Sequence, residues 1–241
     1  MGMETSEPNV VDLFVSYLAQ YVLTKYGGGF EYITGNQDRT NDGSLSDYIL
    51  SVNSMNLLIE FKRTVAKYRT ELNKSGGRLS FIVGADGDEL KLSESCHFIS
   101  GGHDFACEVG FELVFDRYIP VLRRLYRNEL SDDEVANDAE FVGFFGFAES
   151  IHHRMIGLGS EEFAAYLRTI KGVSDTDGGG NKIEALVLSF DPESFRYKTV
   201  PIHSIDSLVR AAYRAEEKNR MRPAQRAVEK ERNRERNGPG F

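Results

Sequence analysis

Ser46-Asp47-Tyr48-Ile49-Leu50-Ser51-Val52-Asn53-Ser54-Met55-Asn56-Leu57-Leu58-Ile59-Glu60-Phe61-Lys62 is the stretch on which the fold turns. Asp47 to Val52 and Asn56 to Lys62 alternate in the period-two manner of strands, and Asn53-Ser54 between them suits a tight hairpin turn. With the turn centred there, the numbers of facing residues sum to 107, so 52 faces 55, 50 faces 57 and 47 faces 60. Leu57, Ile59 and Phe61 then share one face of their strand, and Leu58, Glu60 and Lys62 the other. Two charges at the end of an apolar strand need a partner or a task.

In this register Asp47 lies directly across from Glu60, with Cβ atoms ~5 Å apart. Carboxylates so placed repel each other, and a bridging divalent cation removes the repulsion. An all-oxygen ligand set favours Mg²⁺ or Mn²⁺ over zinc. Lys62, two residues on, is close enough to orient a metal-bound water or to offset developing negative charge. The competing interpretation is a cross-strand Asp47–Lys62 salt bridge on an exposed sheet face.

Asp, twelve residues, then Glu-x-Lys on a β-hairpin resembles the PD-(D/E)xK nuclease superfamily. The order around it (helix, strands carrying the motif, helix, strand) is similar too, over roughly residues 8 to 100. The resemblance implies that Asp47 and Glu60 ligate Mg²⁺ together with the backbone carbonyl of Phe61. It also implies that Lys62 helps to activate water for phosphodiester hydrolysis. Ser46 stands where the family has its leading proline. For the acid that many members carry on the first helix, Asp12 and Glu31 are rival candidates. Two further Glu-x-Lys matches, Glu89 with Lys91 and Glu216 with Lys218, follow no apolar strand with a paired acid.

Outward from the motif, Val11, Phe14, Leu18, Tyr21 and Val22 recur at helical spacing within residues 8–26, and Gly27 to Gly29 end that helix. Phe30 to Gly35 suggests a strand, followed by a polar loop, NQDRTNDGS. Thr64 to Lys74 suggests a helix. Leu79 to Gly84 and Glu89 to Ser93 suggest a hairpin. Cys96 to Ser100 and Glu108 to Phe115 suggest further strands, and Asp116 suits the cap of a helix to about Tyr126. Ser131 with Glu134 has the capping-box pattern. Ser160 to Lys171 suggests a helix closed by Gly172, and SDTDGGGN a flexible loop. Lys182 to Phe190 with Arg196 to Ile202 suggest a hairpin. From Ser204 a charged helix is expected, broken at Pro223, with the last 15 residues frayed. The expected architecture is α/β, a mixed central β-sheet flanked by helices. It comprises a restriction-endonuclease-like core over residues 1–128, an appended α+β region over 129–203 and a charged helical tail over 204–241.

The chain has 241 residues, 41% hydrophobic and 27% charged, which excludes a wholly disordered chain. No apolar run approaches the ~18 residues of a membrane span. The N-terminal segment lacks signal-peptide character, and two cysteines are too few for a disulfide scaffold, so a cytoplasmic setting is expected. Net charge is -8 but uneven: from Arg210 onward ten basic residues meet five acidic ones. Lys62, Arg63, Lys67, Arg69, Lys74 and Arg78 have one acid among them, Glu71, and Arg117, Arg123, Arg124 and Arg127 form a second basic island. Nucleic-acid binding needs local positive charge, so Arg63, Lys67, Arg69, Lys74, Arg123 and Arg124 are candidate backbone contacts. The bland alternative is a set of solvated helix faces.

Cys96, His97, His103 and Cys107 lack the spacing of a zinc site, and His152-His153 has no acidic partner at metal spacing. Neither a phosphate-binding glycine loop nor a nucleophile elbow is present. The expected function is a Mg²⁺- or Mn²⁺-dependent nuclease acting on nucleic acid. The family resemblance favours DNA, and implies a role in bacterial antiviral defence or a phage system. The alternative is an inactive nuclease-fold protein serving as a binding or scaffold module. A homodimer, or a partner protein engaged through the C-terminal helix, is compatible with either.

Overall fold

A computed structural model describes residues 7–36, 48–73, 78–104, 111–174, 182–191 and 196–236. Helix α1 (Glu7–Tyr26) buries Val10, Phe14, Leu18, Tyr21 and Val22, a stripe at three- and four-residue spacing. Strand β1 (Glu31–Asn36) is followed by the motif hairpin, β2 (Tyr48–Val52) and β3 (Met55–Thr64). Its turn residues Asn53 and Ser54 both have positive φ, 53° and 70°. Those angles match the right-handed twist of the paired strands. The register runs Tyr48↔Ile59, Ile49↔Leu58, Leu50↔Leu57, Ser51↔Asn56 and Val52↔Met55. Each pair sums to 107, as the alternation predicts.

After β3 come a 3-10 helix (Val65–Asn73), α2 (Arg78–Gly84), α3 (Gly87–Cys96), β4 (His97–Asp104), β5 (Phe111–Arg117) and α4 (Tyr118–Tyr126). Strand β6 (Phe141–Val142), α5 (Phe144–His152), α6 (Ser160–Ser174), β7 (Lys182–Asp191), β8 (Arg196–Ser204) and α7 (Ile205–Arg236) complete the chain. The fold is mixed α/β. Among the described residues one eight-stranded sheet, ordered β6-β5-β4-β3-β2-β1-β7-β8, has a single parallel pair, β3 with β4. Strands β7 and β8, from the stretch expected as an appended region, extend this same sheet beside β1.

Helices α1 and α5 cover one face of the sheet. Phe14 of α1 meets Tyr48 and Phe61 at ring-centroid distances of 5.3 and 5.2 Å, and Phe147 of α5 stacks on Phe115 at 4.1 Å. The other face carries two clusters. Leu58, Phe163, Tyr166, Leu167, Ile205 and Leu208 lie in one. Val65, Tyr68, Ile99, Val114, Ile119 and Leu122 lie in the other.

Several expectations are corrected. Residues 78–96 form α2 and α3, not a hairpin. Asp86 stands at the N-cap of α3, and Asp88 and Glu89 fill its first turn, where the helix dipole favours acids. The residue capping α4 is Arg117, and Asp116 instead accepts the Glu140 backbone N–H at 3.2 Å. Helix α6 continues past Gly172 to Ser174. Helix α7 runs through Pro223 to Arg236 instead of breaking or fraying there. It is held just before the proline, where Asn219 exchanges hydrogen bonds with the Glu31 backbone at 3.0 and 2.8 Å. Most of the NQDRTNDGS and SDTDGGGN stretches lies outside the described residues, as do residues 237–241.

Gly101 of β4 sits where β3 gives way to the 3-10 helix. A Cβ there would stand 2.8 Å from Thr64 C and Val65 N and 3.0 Å from a Tyr68 ring carbon. The first two are backbone atoms and cannot rotate away. Gly101→Ala should therefore lower the urea-unfolding free energy by about 1–3 kcal/mol, the usual range for an overpacked core. An unchanged midpoint would show that the crossover tolerates the shift.

Candidate functional site

Strand β3 delivers Glu60 and Lys62 to the same face, and both are buried: Glu60 is 0% exposed and Lys62 6%. The exposed-face reading of these charges is thereby overturned, because the 3-10 helix brings Glu71 onto Lys62. Buried ionic groups must find partners, since desolvating an isolated charge costs several kcal/mol. Lys62 Nζ lies 3.0 Å from Glu60 Oε1 and 2.8 Å from Glu71 Oε1. Glu71, on the 3-10 helix, is itself 0% exposed. It accepts a hydrogen bond from Tyr118 Oη at 2.9 Å.

The polar cluster continues along the sheet. His97 is the β4 residue paired with Leu58, so its ring lies on the Glu60 face. It stacks on Tyr118, with centroids 4.1 Å apart and planes within 5°, and its Nδ1 lies 2.8 Å from Tyr166 Oη. Burial pushes the Tyr166 hydroxyl and the neighbouring Cys96 thiol well above their ordinary pKa values, so both stay protonated. Cys96 is thus a packed side chain and not a ready nucleophile.

Asp47, the residue before β2, lies outside the described residues, as do Lys74 and Cys107. Among the described residues the last β2–β3 pair is Tyr48↔Ile59, and Glu60, Phe61 and Lys62 continue alongside β4. The donors at that end are the Glu60 carboxylate and the Phe61 carbonyl, both oxygens, which is the chemistry Mg²⁺ and Mn²⁺ take. Among the described residues no group of three His, Cys, Asp or Glu is placed to hold a metal.

The basic islands divide. Arg63 and Lys67 are exposed. Arg69 is bound inward, to Asp132 at 2.7 Å and to the Leu125 and Leu130 carbonyls at 2.7 and 3.1 Å. Arg123 donates to the Ile82 carbonyl at 2.6 Å and also to that of Ala85. Arg124 pairs with Asp138. These three arginines tie helices and loops together. Of the rival first-helix acids, Asp12 is exposed on α1, whereas Glu31 pairs with Lys218 of α7. His152 hydrogen-bonds with Tyr26 at 2.9 Å, and His153 lies 3.4 Å from Glu149.

Glu71, Tyr118 and His97 are the members that sequence reasoning missed. The one available signal was Glu71 itself, a lone acid within a run of six basic residues.

Comparison of the chain with protein-family models, with curated proteins and with solved structures gave no match. No described helix is long and apolar enough to cross a membrane.

Proposed function

We propose that the chain is a metal-dependent nuclease with a restriction-endonuclease-like core, hydrolysing phosphodiester bonds of nucleic acid. The observation that carries this reading is the pairing of β2 with β3 in the 107 register, with Glu60 and Lys62 buried on one face beyond it. Continued by one residue, that register sets position 47 against position 60. Asp47, Glu60 and the Phe61 carbonyl would hold Mg²⁺ or Mn²⁺, which supplies Lewis acidity and lowers the pKa of a bound water. Lys62 orients that water and offsets charge on the phosphate. Glu71 and Tyr118 keep its ammonium in place. Arg63 and Lys67, exposed next to the motif, contact backbone phosphates, while Arg69, Arg123 and Arg124 are committed to internal partners. DNA is favoured over RNA by the family resemblance alone.

A second reading has its own observation. Lys62 is held between two carboxylates and almost removed from solvent, which suits a nuclease fold kept as a scaffold. Incubation with plasmid, single-stranded DNA and RNA separates the two readings. The nuclease should cleave at least one substrate with Mg²⁺ or Mn²⁺, stop in EDTA, and lose about 100-fold or more in Glu60→Gln. Cleavage that survives EDTA or Glu60→Gln overturns the mechanism. No cleavage of any substrate, with no Mn²⁺-dependent rise in melting temperature, leaves the scaffold reading.

A further inference from the structure

Across the sheet from Glu60, two strands away, lies a second acid whose surroundings form a pocket. Asp116 of β5 pairs with Ile99 of β4, itself the partner of Glu60. It is 7% exposed, and among the described residues its Oδ2 meets no hydrogen-bond donor. Its other oxygen accepts the Glu140 N–H at 3.2 Å. Asp116 lies at a pocket of about 110 Å³ whose apolar walls include Pro120, Val121, Leu130 and Val135. Two ion pairs border it, Arg117 with Glu140 at 2.6 Å and Arg124 with Asp138.

This charge pattern selects a ligand. Each arginine is matched by a carboxylate, so neither is left over to attract an anion. Asp116 is the excess charge, with a buried acceptor lacking a donor. Such acceptors are rarely left empty in folded proteins. A metal ion is disfavoured, since no three-ligand group exists among the described residues. The volume is well below the roughly 300 Å³ at which pockets begin to enclose drug-sized ligands, so a nucleotide does not fit. A short head group that donates N–H to a carboxylate and lays a stub of alkyl chain on Val121 and Val135 does.

We propose that this pocket binds a small organic cation bearing N–H donors, a primary ammonium or guanidinium group, with the Asp116 carboxylate as its counter-ion. The group belongs either to a free amine or to a lysine or arginine side chain presented by a peptide. The assignment is independent of the nuclease reading. The Asp116 carboxyl is raised to about 7, chiefly by burial, with the Glu140 N–H and Arg124 opposing and the Glu140 and Asp138 charges adding to the rise. Among the described residues, Tyr68 and Arg117 also stand beside it. Occupancy therefore grows as pH rises and the carboxylate forms.

The test is titration of the full chain with propylammonium and methylguanidinium chlorides, against tetramethylammonium and potassium chlorides at equal ionic strength. The readouts are the Glu140 amide resonance, which reports on the Asp116 oxygen, and the melting temperature. Saturable shifts in the millimolar range are expected with the N–H donors alone. They should vanish in Asp116→Asn and, in the wild type, fade below about pH 7. Short lysine- and arginine-containing peptides competing at lower concentration than the free cations would assign the source to a side chain; weaker competition assigns it to a free amine. An equal response to tetramethylammonium, a response retained in Asp116→Asn or independent of pH, or no saturation with either donor overturns the proposal.

Discussion

Lys62→Met is expected to destabilise the fold by about 3–5 kcal/mol, the cost of leaving buried charge without its partner. The methionine keeps most of the length and apolar stem of lysine, so packing changes little. What is lost is the ammonium between Glu60 and Glu71, two carboxylates that are both 0% exposed. Urea unfolding measures the loss. Lys62→Met/Glu71→Leu should recover part of it, because the second change removes one of the two stranded charges, with a coupling of about 0.5–3 kcal/mol. On the proposed function, cleavage by Lys62→Met should also fall by about 100- to 1000-fold, the usual effect of deleting one electrostatic stabiliser. Lys62→Arg separates the two effects. It keeps the charge, and hence most of the stability, but a planar fork does not reproduce a compact ammonium aimed at one water. A Lys62→Met variant within about 1 kcal/mol of wild type would show that the ammonium does not bind the two acids.

The part of this site carried by local pattern was legible in the sequence. Alternating apolar residues on both sides of Asn53-Ser54 specify a hairpin, and a period of two leaves one register that buries Leu50, Leu57 and Ile59 together. The same reasoning places Glu60 and Lys62 on one face. It does not say whether that face meets solvent, because the answer depends on helices that arrive later in the chain. Glu71 shows the limit: as part of a basic run it looks like surface charge, and only the turn of the 3-10 helix back over β3 makes it the partner of Lys62. The internal partners of Arg69, Arg123 and Arg124 were hidden for the same reason. An arginine that caps carbonyls, as Arg123 does at Ile82, is indistinguishable in sequence from one that holds a phosphate. In residues 78–96 the run Phe81-Ile82-Val83 favours a strand by propensity, and tertiary packing overrides it: Ile82 is fully buried beneath α4 while Val83 is exposed.

Asp116→Asn should flatten the dependence of stability on pH. The native carboxyl is raised from its ordinary 3.8 to about 7, chiefly by desolvation. Between those two values the native protein keeps a proton that the unfolded chain has released. The unfolding free energy must therefore fall as pH rises through that window, and level off above it. A shift of about three units corresponds to roughly 4 kcal/mol across the whole window, at 1.36 kcal/mol per unit. Asparagine resembles the protonated acid in shape and carries no charge to desolvate. The variant should match the wild type near pH 4 and exceed it by up to about 4 kcal/mol above pH 7. Other groups titrate in the same range, but they do so in both proteins, so the difference between the two curves isolates Asp116. Parallel curves would mean that the carboxyl ionises near its ordinary value, which requires a donor on Oδ2. The same carboxylate, uncomfortable when alone, is what a cation in the pocket would relieve, so propylammonium should flatten the wild-type curve and leave that of Asp116→Asn unmoved.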